Sequence, residues 1–204
     1  MRLPQTFLAL AACFLLVSGA QASAIYSYVG KNFNTVGQDD TPPNLAYTTL
    51  MSVTGSFTTN TALGLMAFGD ISGMVTGYSF NDGRTTLTDA KSTIGFFDVA
   101  VDALGDITQW SIQVKDAPPL VSIGDQTFTI VTEKSVSGSA NDLGQIVECV
   151  ALACTTAGNT GTDLARINGP GNFGTWTVVP IPASVWLFGS ALGLLGWIKR
   201  RKTH

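Results

Sequence analysis

Histidine is almost missing from this 204-residue chain: the single one, His204, is its last residue. With no imidazole ahead of that position, histidine-based triads and histidine-ligated metal centres are excluded from the body of the chain. Charged residues make up only 12% of the sequence, and cysteine occurs three times. The Gly-x-Ser-x-Gly and Walker fingerprints are also absent, and no cofactor is implied. Across 25–177, Lys31, Arg84, Lys91, Lys115, Lys134 and Arg166 stand against all 14 acidic residues, a formal charge of −8. There is no basic stripe to neutralise phosphates, and nucleic acid is not an expected partner.

Apolar residues, at 45%, concentrate in two terminal runs. Arg2, the apolar stretch Phe7–Val17 and the small residues from Ser18 to Ala24 form the three regions of a secretory signal peptide. Ala22-Ser23-Ala24 predicts cleavage after Ala24 and a mature start at Ile25; Ala20-Gln21-Ala22 allows Ser23 instead. At the other end, no charge occurs between Arg166 and Lys199, and 178–198 is apolar apart from Ser184 and Ser190. Pro180 and Pro182 cannot both lie inside a helix, so a helix is expected from Ala183 to Ile198, about 24 Å long at ~1.5 Å per residue. That length spans a bilayer if Lys199, Arg200, Arg201 and Lys202 continue the helix and snorkel to the headgroups. The cations then act as the cytoplasmic stop.

The order of Val179-Pro180-Ile181-Pro182-Ala183, an apolar helix and a terminal basic cluster resembles the PEP-CTERM sorting signal of exported bacterial proteins. Ile181 stands where the family's motif carries Glu, as in its Val-Pro-Leu-Pro-Ala variants. The resemblance implies processing by an exosortase, in a Gram-negative bacterium, and delivery to the cell surface or an exopolysaccharide matrix. It implies as partners the Sec translocon, signal peptidase, an exosortase-like enzyme, the inner membrane and extracellular polysaccharide. Tyr26–Phe33, Tyr47–Phe57, Phe80-Asn-Asp-Gly83 and Ile107–Ile112 also resemble the β-domain of many PEP-CTERM proteins, which implies no activity.

Between the termini the pattern favours strands. Phe97, Val99 and Val101 alternate with Asp98 and Ala100, and Trp110, Ile112 and Val114 with Ser111 and Gln113, predicting a hairpin around Asp102-Ala-Leu-Gly-Asp106. Tyr47–Phe57 and Met74–Phe80 alternate too, the latter turning at Asn81-Asp-Gly83 into 84–88. Phe128, Ile130 and Thr132 share another face, 135–144 reads as a polar loop, and Trp110 and Trp176 are expected to fill the core or cover a sheet edge. The expectation is an all-β, antiparallel β-sandwich or jelly-roll-like domain over 25–157. It lies between a signal peptide at 1–24 and a glycine-rich linker at 158–177, with the sorting signal at 178–204.

Cys149 and Cys154, the pair left after signal removal, are expected to form a local disulfide in an oxidising compartment. The chain reads as a non-catalytic exported protein, held in the inner membrane before sorting. One alternative is a carbohydrate- or Ca²⁺-binding adhesive module, with Asp98, Asp102 and Asp106 as candidate oxygen ligands. Another is a secreted glycosidase, which needs two suitably spaced carboxylates.

Overall fold

Alternating apolar residues produce a protein of strands. The computed structural model describes residues 23–38, 47–116, 118, 120–135, 138–150, 154 and 160–180. Its strands are β1 (Ala24–Asn32), β2 (Thr35–Gln38), β3 (Ser52–Thr59), β4 (Met66–Asp70), β5 (Val75–Asn81) and β6 (Thr86–Thr88), followed by β7 (Thr93–Val101), β8 (Ile107–Asp116), β9 (Gln126–Lys134), β10 (Ser139–Cys149), β11 (Thr160–Pro170) and β12 (Thr175–Pro180). Among the described residues the one helical element is the 3-10 turn Ser72–Met74.

Two antiparallel sheets result, one ordered β12-β1-β3-β5-β6 and the other β2-β11-β10-β9-β8-β7-β4. The expected hairpin is present as β7 and β8, with Val99 opposite Trp110 and Phe97 opposite Ile112. Phe97, Val99, Val101, Trp110, Ile112 and Val114 are all buried. They face the first sheet, whose inward positions include Tyr26, Tyr28, Val53, Phe57 and Phe80.

Aromatic rings stitch the sheets together. Phe57 meets Phe97 edge-on at 5.0 Å between centroids, and Tyr28 meets Trp110 at 5.6 Å. Trp176 packs against Tyr28, Phe57 and Trp110 at 5.0, 5.4 and 6.0 Å. Each such pair contributes roughly 0.5–1.5 kcal/mol beyond the area it buries. Both tryptophans thus serve the core.

Four expectations need correction. The stretch 158–177 is no linker: β11 pairs with β10 along 11 positions, and β12 pairs with β1, so the sandwich runs past 157 to Pro180. Residues 139–144, expected as loop, begin β10. Its inward positions are Ala140, Asp142, Gly144 and Ile146, a set with too little apolar character to register as a strand face. Met74 ends the 3-10 turn at 52% exposure rather than sharing the face of Tyr78 and Phe80. Tyr47 precedes β3, although it is buried, because its ring packs edge-on against Phe33.

The expected sorting motif begins inside the sandwich, since Val179 and Pro180 belong to β12; Ile181, Pro182 and Ala183 lie outside the described residues. So do the predicted helix and Lys199, Arg200, Arg201 and Lys202, as well as Ala22. No helix among the described residues is long and apolar enough to cross a membrane.

Gly55 of β3 is required by close packing, because a Cβ there would overlap the Phe80 ring. Gly37 of β2 has nothing within 4 Å of such an atom. Gly55→Ala is therefore expected to lower unfolding free energy by about 1–3 kcal/mol, as overpacked core substitutions do. Gly37→Ala should leave it within about 0.5 kcal/mol. Urea denaturation of the two variants checks the contrast, and equal midpoints would contradict this packing.

Candidate functional site

Three places on the sandwich carry chemistry: the corner where the chain enters and leaves it, a groove on its outer face, and a seam of buried acids.

At the corner, Ala24 is the first residue of β1 and Pro180 the last of β12, and the two are register partners. On its other side Ala24 faces Thr59 of β3. Ala24 is wholly buried, and Thr59 is 1% exposed with its hydroxyl donating to the Thr61 carbonyl at 2.7 Å. The predicted export site and the predicted sorting motif therefore adjoin the same edge of one domain.

The groove lies on the outer face of the seven-stranded sheet and encloses about 400 Å³. Phe68 on β4 and Phe96 on β7 stand in it at 44% and 37% exposure. Asp98, Gln109, Ser111 and Glu133 contribute carboxylate, amide and hydroxyl groups beside the rings. A second depression continues along β7 past Asp70 and Ser72. Acceptors flanking exposed rings can bind hydroxyl donors while an apolar ligand face lies on the phenyl groups. Strand period signals this site in part: Phe96 and Phe97 are adjacent, so when Phe97 is buried Phe96 must face out. Phe68 and Glu133 carry no such signal.

The calcium expectation fares differently. Asp102 Oδ1 accepts the Leu104 and Asp106 amides at 2.9 and 3.0 Å and closes the β7–β8 turn, while Asp98 lies up the strand in the groove wall. The three do not form one ligand set, and no cluster of three or more metal-binding side chains occurs among the described residues. Cys149, at the end of β10, is disulfide-bonded to Cys154 with Cα atoms 5.4 Å apart.

The third place is internal and was not visible from periodicity. Asp142 on β10 points between the sheets, fully buried, and Tyr28 donates its hydroxyl to both carboxyl oxygens at 3.0 and 2.9 Å. Thr132 also bonds the carboxyl, and in turn its hydroxyl accepts the Trp110 indole N–H at 2.9 Å. The Gly174 amide donates to the Tyr28 oxygen at 3.1 Å. A parallel arrangement holds Asp82, 1% exposed, which accepts the Tyr47 hydroxyl at 2.5 Å and the Arg84 and Thr85 amides. Space for both carboxyls comes from facing glycines, Gly30 beside Asp142 and Gly144 beside Asp82.

Burial pushes the Asp142 carboxyl up to about 7, against the opposing pull of its Thr132, Tyr28 and Glu133 hydrogen bonds. The Tyr28 and Tyr47 hydroxyls are raised chiefly by burial, and further by the charge of Asp142 and Asp82 respectively. For Asp142 the folded value exceeds the unfolded one, so its contribution is fully present below pH ~4 and lost as pH rises through about 7. The span corresponds to at most about 4 kcal/mol. Thermal melts of wild type should fall from pH 5 to pH 8, and Asp142→Asn should flatten that dependence while retaining an acceptor for Tyr28. A variant curve parallel to wild type would remove Asp142 as the titrating group.

Compared with known proteins, the chain matches no protein-family model, and no curated protein or solved structure is significantly similar to it.

Proposed function

We propose that this chain is a non-catalytic exported protein of the cell surface or extracellular matrix, sorted through its C-terminal segment by an exosortase-like enzyme. The pairing of Ala24 with Pro180 carries the reading: a single two-sheet body runs from the last residue of the predicted leader into the first two residues of the predicted motif. A domain whose first and last strands are neighbours can be trimmed at both ends without losing an internal strand. The Cys149–Cys154 disulfide agrees with maturation in an oxidising compartment. In this reading the Sec translocon and signal peptidase handle the N-terminus. The apolar run at 183–198 holds the precursor in the inner membrane, Lys199 to Lys202 fix its orientation, and Val179 to Ala183 present the recognition segment on the periplasmic side. The protein is a substrate of the sorting machinery.

Fractionation of a Gram-negative host without the sorting enzyme tests this. Full-length protein should remain with the inner membrane, its β-domain accessible from the periplasm, whereas a chain ending at Pro180 should be periplasmic and soluble. Identical partitioning of the two would contradict membrane retention by the tail.

A second reading, an adhesive module for extracellular polysaccharide, is favoured by the groove of Phe68, Phe96, Asp98 and Glu133. Sugar rings combine an apolar C–H face with hydroxyl edges, which suits exposed phenyl groups bordered by acceptors. Phe68→Ala and Phe96→Ala should each weaken retention on matrix polysaccharide several-fold, since one aromatic contact is worth roughly 1 kcal/mol. Wild type that shows no retention, with or without chelator, would remove this reading.

A further inference from the structure

We infer that export processing hydrolyses the Ala22–Ser23 bond and not the Ala24–Ile25 bond, so that the mature protein begins at Ser23; this rests on the proposed reading of the N-terminal segment as a secretory leader. Water adds across the peptide C–N bond, leaving a carboxylate on Ala22 of the released leader and an ammonium on Ser23 of the product. Small residues satisfy the peptidase at both bonds: Ala20 and Ala22 precede the first, Ala22 and Ala24 the second. Peptidase preference alone does not choose between them. The fold does.

Ala24 is a strand residue and a core residue at once. It sits between Thr59 of β3 and Pro180 of β12 and has no exposed surface. Cutting after it would remove the first rung of β1 and place a new ammonium on Ile25. The neighbours there are Tyr26, fully buried with its hydroxyl accepting the Leu63 amide at 2.7 Å, and Thr59, also buried. Ile25 is half-buried, and an ammonium set there between the β3 and β12 backbones gains no carboxylate partner, because β1, the facing part of β3 (52–59) and β12 contain no acidic residue. Cutting two residues earlier leaves the rung intact and puts the ammonium on Ser23, which is half-buried and precedes the strand.

Accessibility points the same way. In a precursor held at the membrane by its leader, docking of β1 between β3 and β12 encloses the Ala24–Ile25 bond within paired strand. A protease needs that backbone extended and unpaired, and Ser23 precedes the first paired position of the ladder.

The test is to express the full-length chain in a Gram-negative host and read the N-terminus of the exported product by Edman sequencing and intact mass. A Ser23 start is expected. An Ile25 start overturns the inference while leaving export standing, whereas a Met1 start in the cytosol overturns export itself and the inference with it. Ala20→Tyr blocks only the first bond, so it should cause precursor to accumulate, and any Ile25 product should melt several degrees below wild type. Undiminished processing to an Ile25 chain with the wild-type melting temperature would overturn the inference independently.

Discussion

The hydrogen bonds from Tyr28 to Asp142 cross the gap between the two sheets, and much of the molecule is arranged around that crossing. Tyr28 lies on β1, which is flanked by β3 on one side and β12 on the other, and Asp142 lies at the heart of the seven-stranded sheet. A carboxyl taken out of water must be satisfied, and here its partners arrive from β1 through Tyr28 and from β9 through Thr132, with Trp110 of β8 bonded to Thr132 and the Gly174 amide ahead of β12 bonded to the Tyr28 oxygen. Removing any one partner leaves a buried polar group without its bond, which costs more than the bond contributed. This gives the sandwich a specific sheet-to-sheet registration that interchangeable aliphatic contacts would not impose.

That same seam explains how far the sequence could be read. β7 and β8 were legible because Phe97, Val99, Val101, Trp110, Ile112 and Val114 alternate cleanly with polar residues, and both strands bury that face. β10 was hidden because its inward positions are Ala140, Asp142, Gly144 and Ile146, while Leu143 and Val147 face outward and invert the pattern. Glycine misled in the same way at β11 and β12, whose neighbourhood reads as a flexible connector until β10 and β1 supply the partners that make it strand. The buried acids look like turn formers in one dimension, and only the glycines facing them reveal the space they occupy. Of the groove, Phe96 could be placed by parity with Phe97; its companions converge through sheet order, which periodicity does not encode.

The domain combines a polar core seam with an outer groove of rings and acceptors. Among the described residues, Asp82 and Asp142 form internal bonds, Asp102 and Asp125 hold turns, and Asp98 and Glu133 stand on the groove wall. The proposed destination also bears on stability, because a buried carboxyl that titrates near neutrality makes the sandwich firmer in mildly acidic surroundings. With the chain's entry and exit joined as a β1–β12 pair, the tail segments can be proposed as addresses whose loss leaves the body whole.

Central to this account is that a self-contained β-sandwich is delivered outside the cytoplasm with its terminal segments acting as removable signals. The intact mass of the native protein recovered from the cell surface and medium measures this most directly. The expected species lacks both the leader and the basic tail, retains everything from β1 through Pro180, and has Cys149 and Cys154 oxidised. A full-length, reduced chain from Met1 to His204 in the cytosol would contradict the claim.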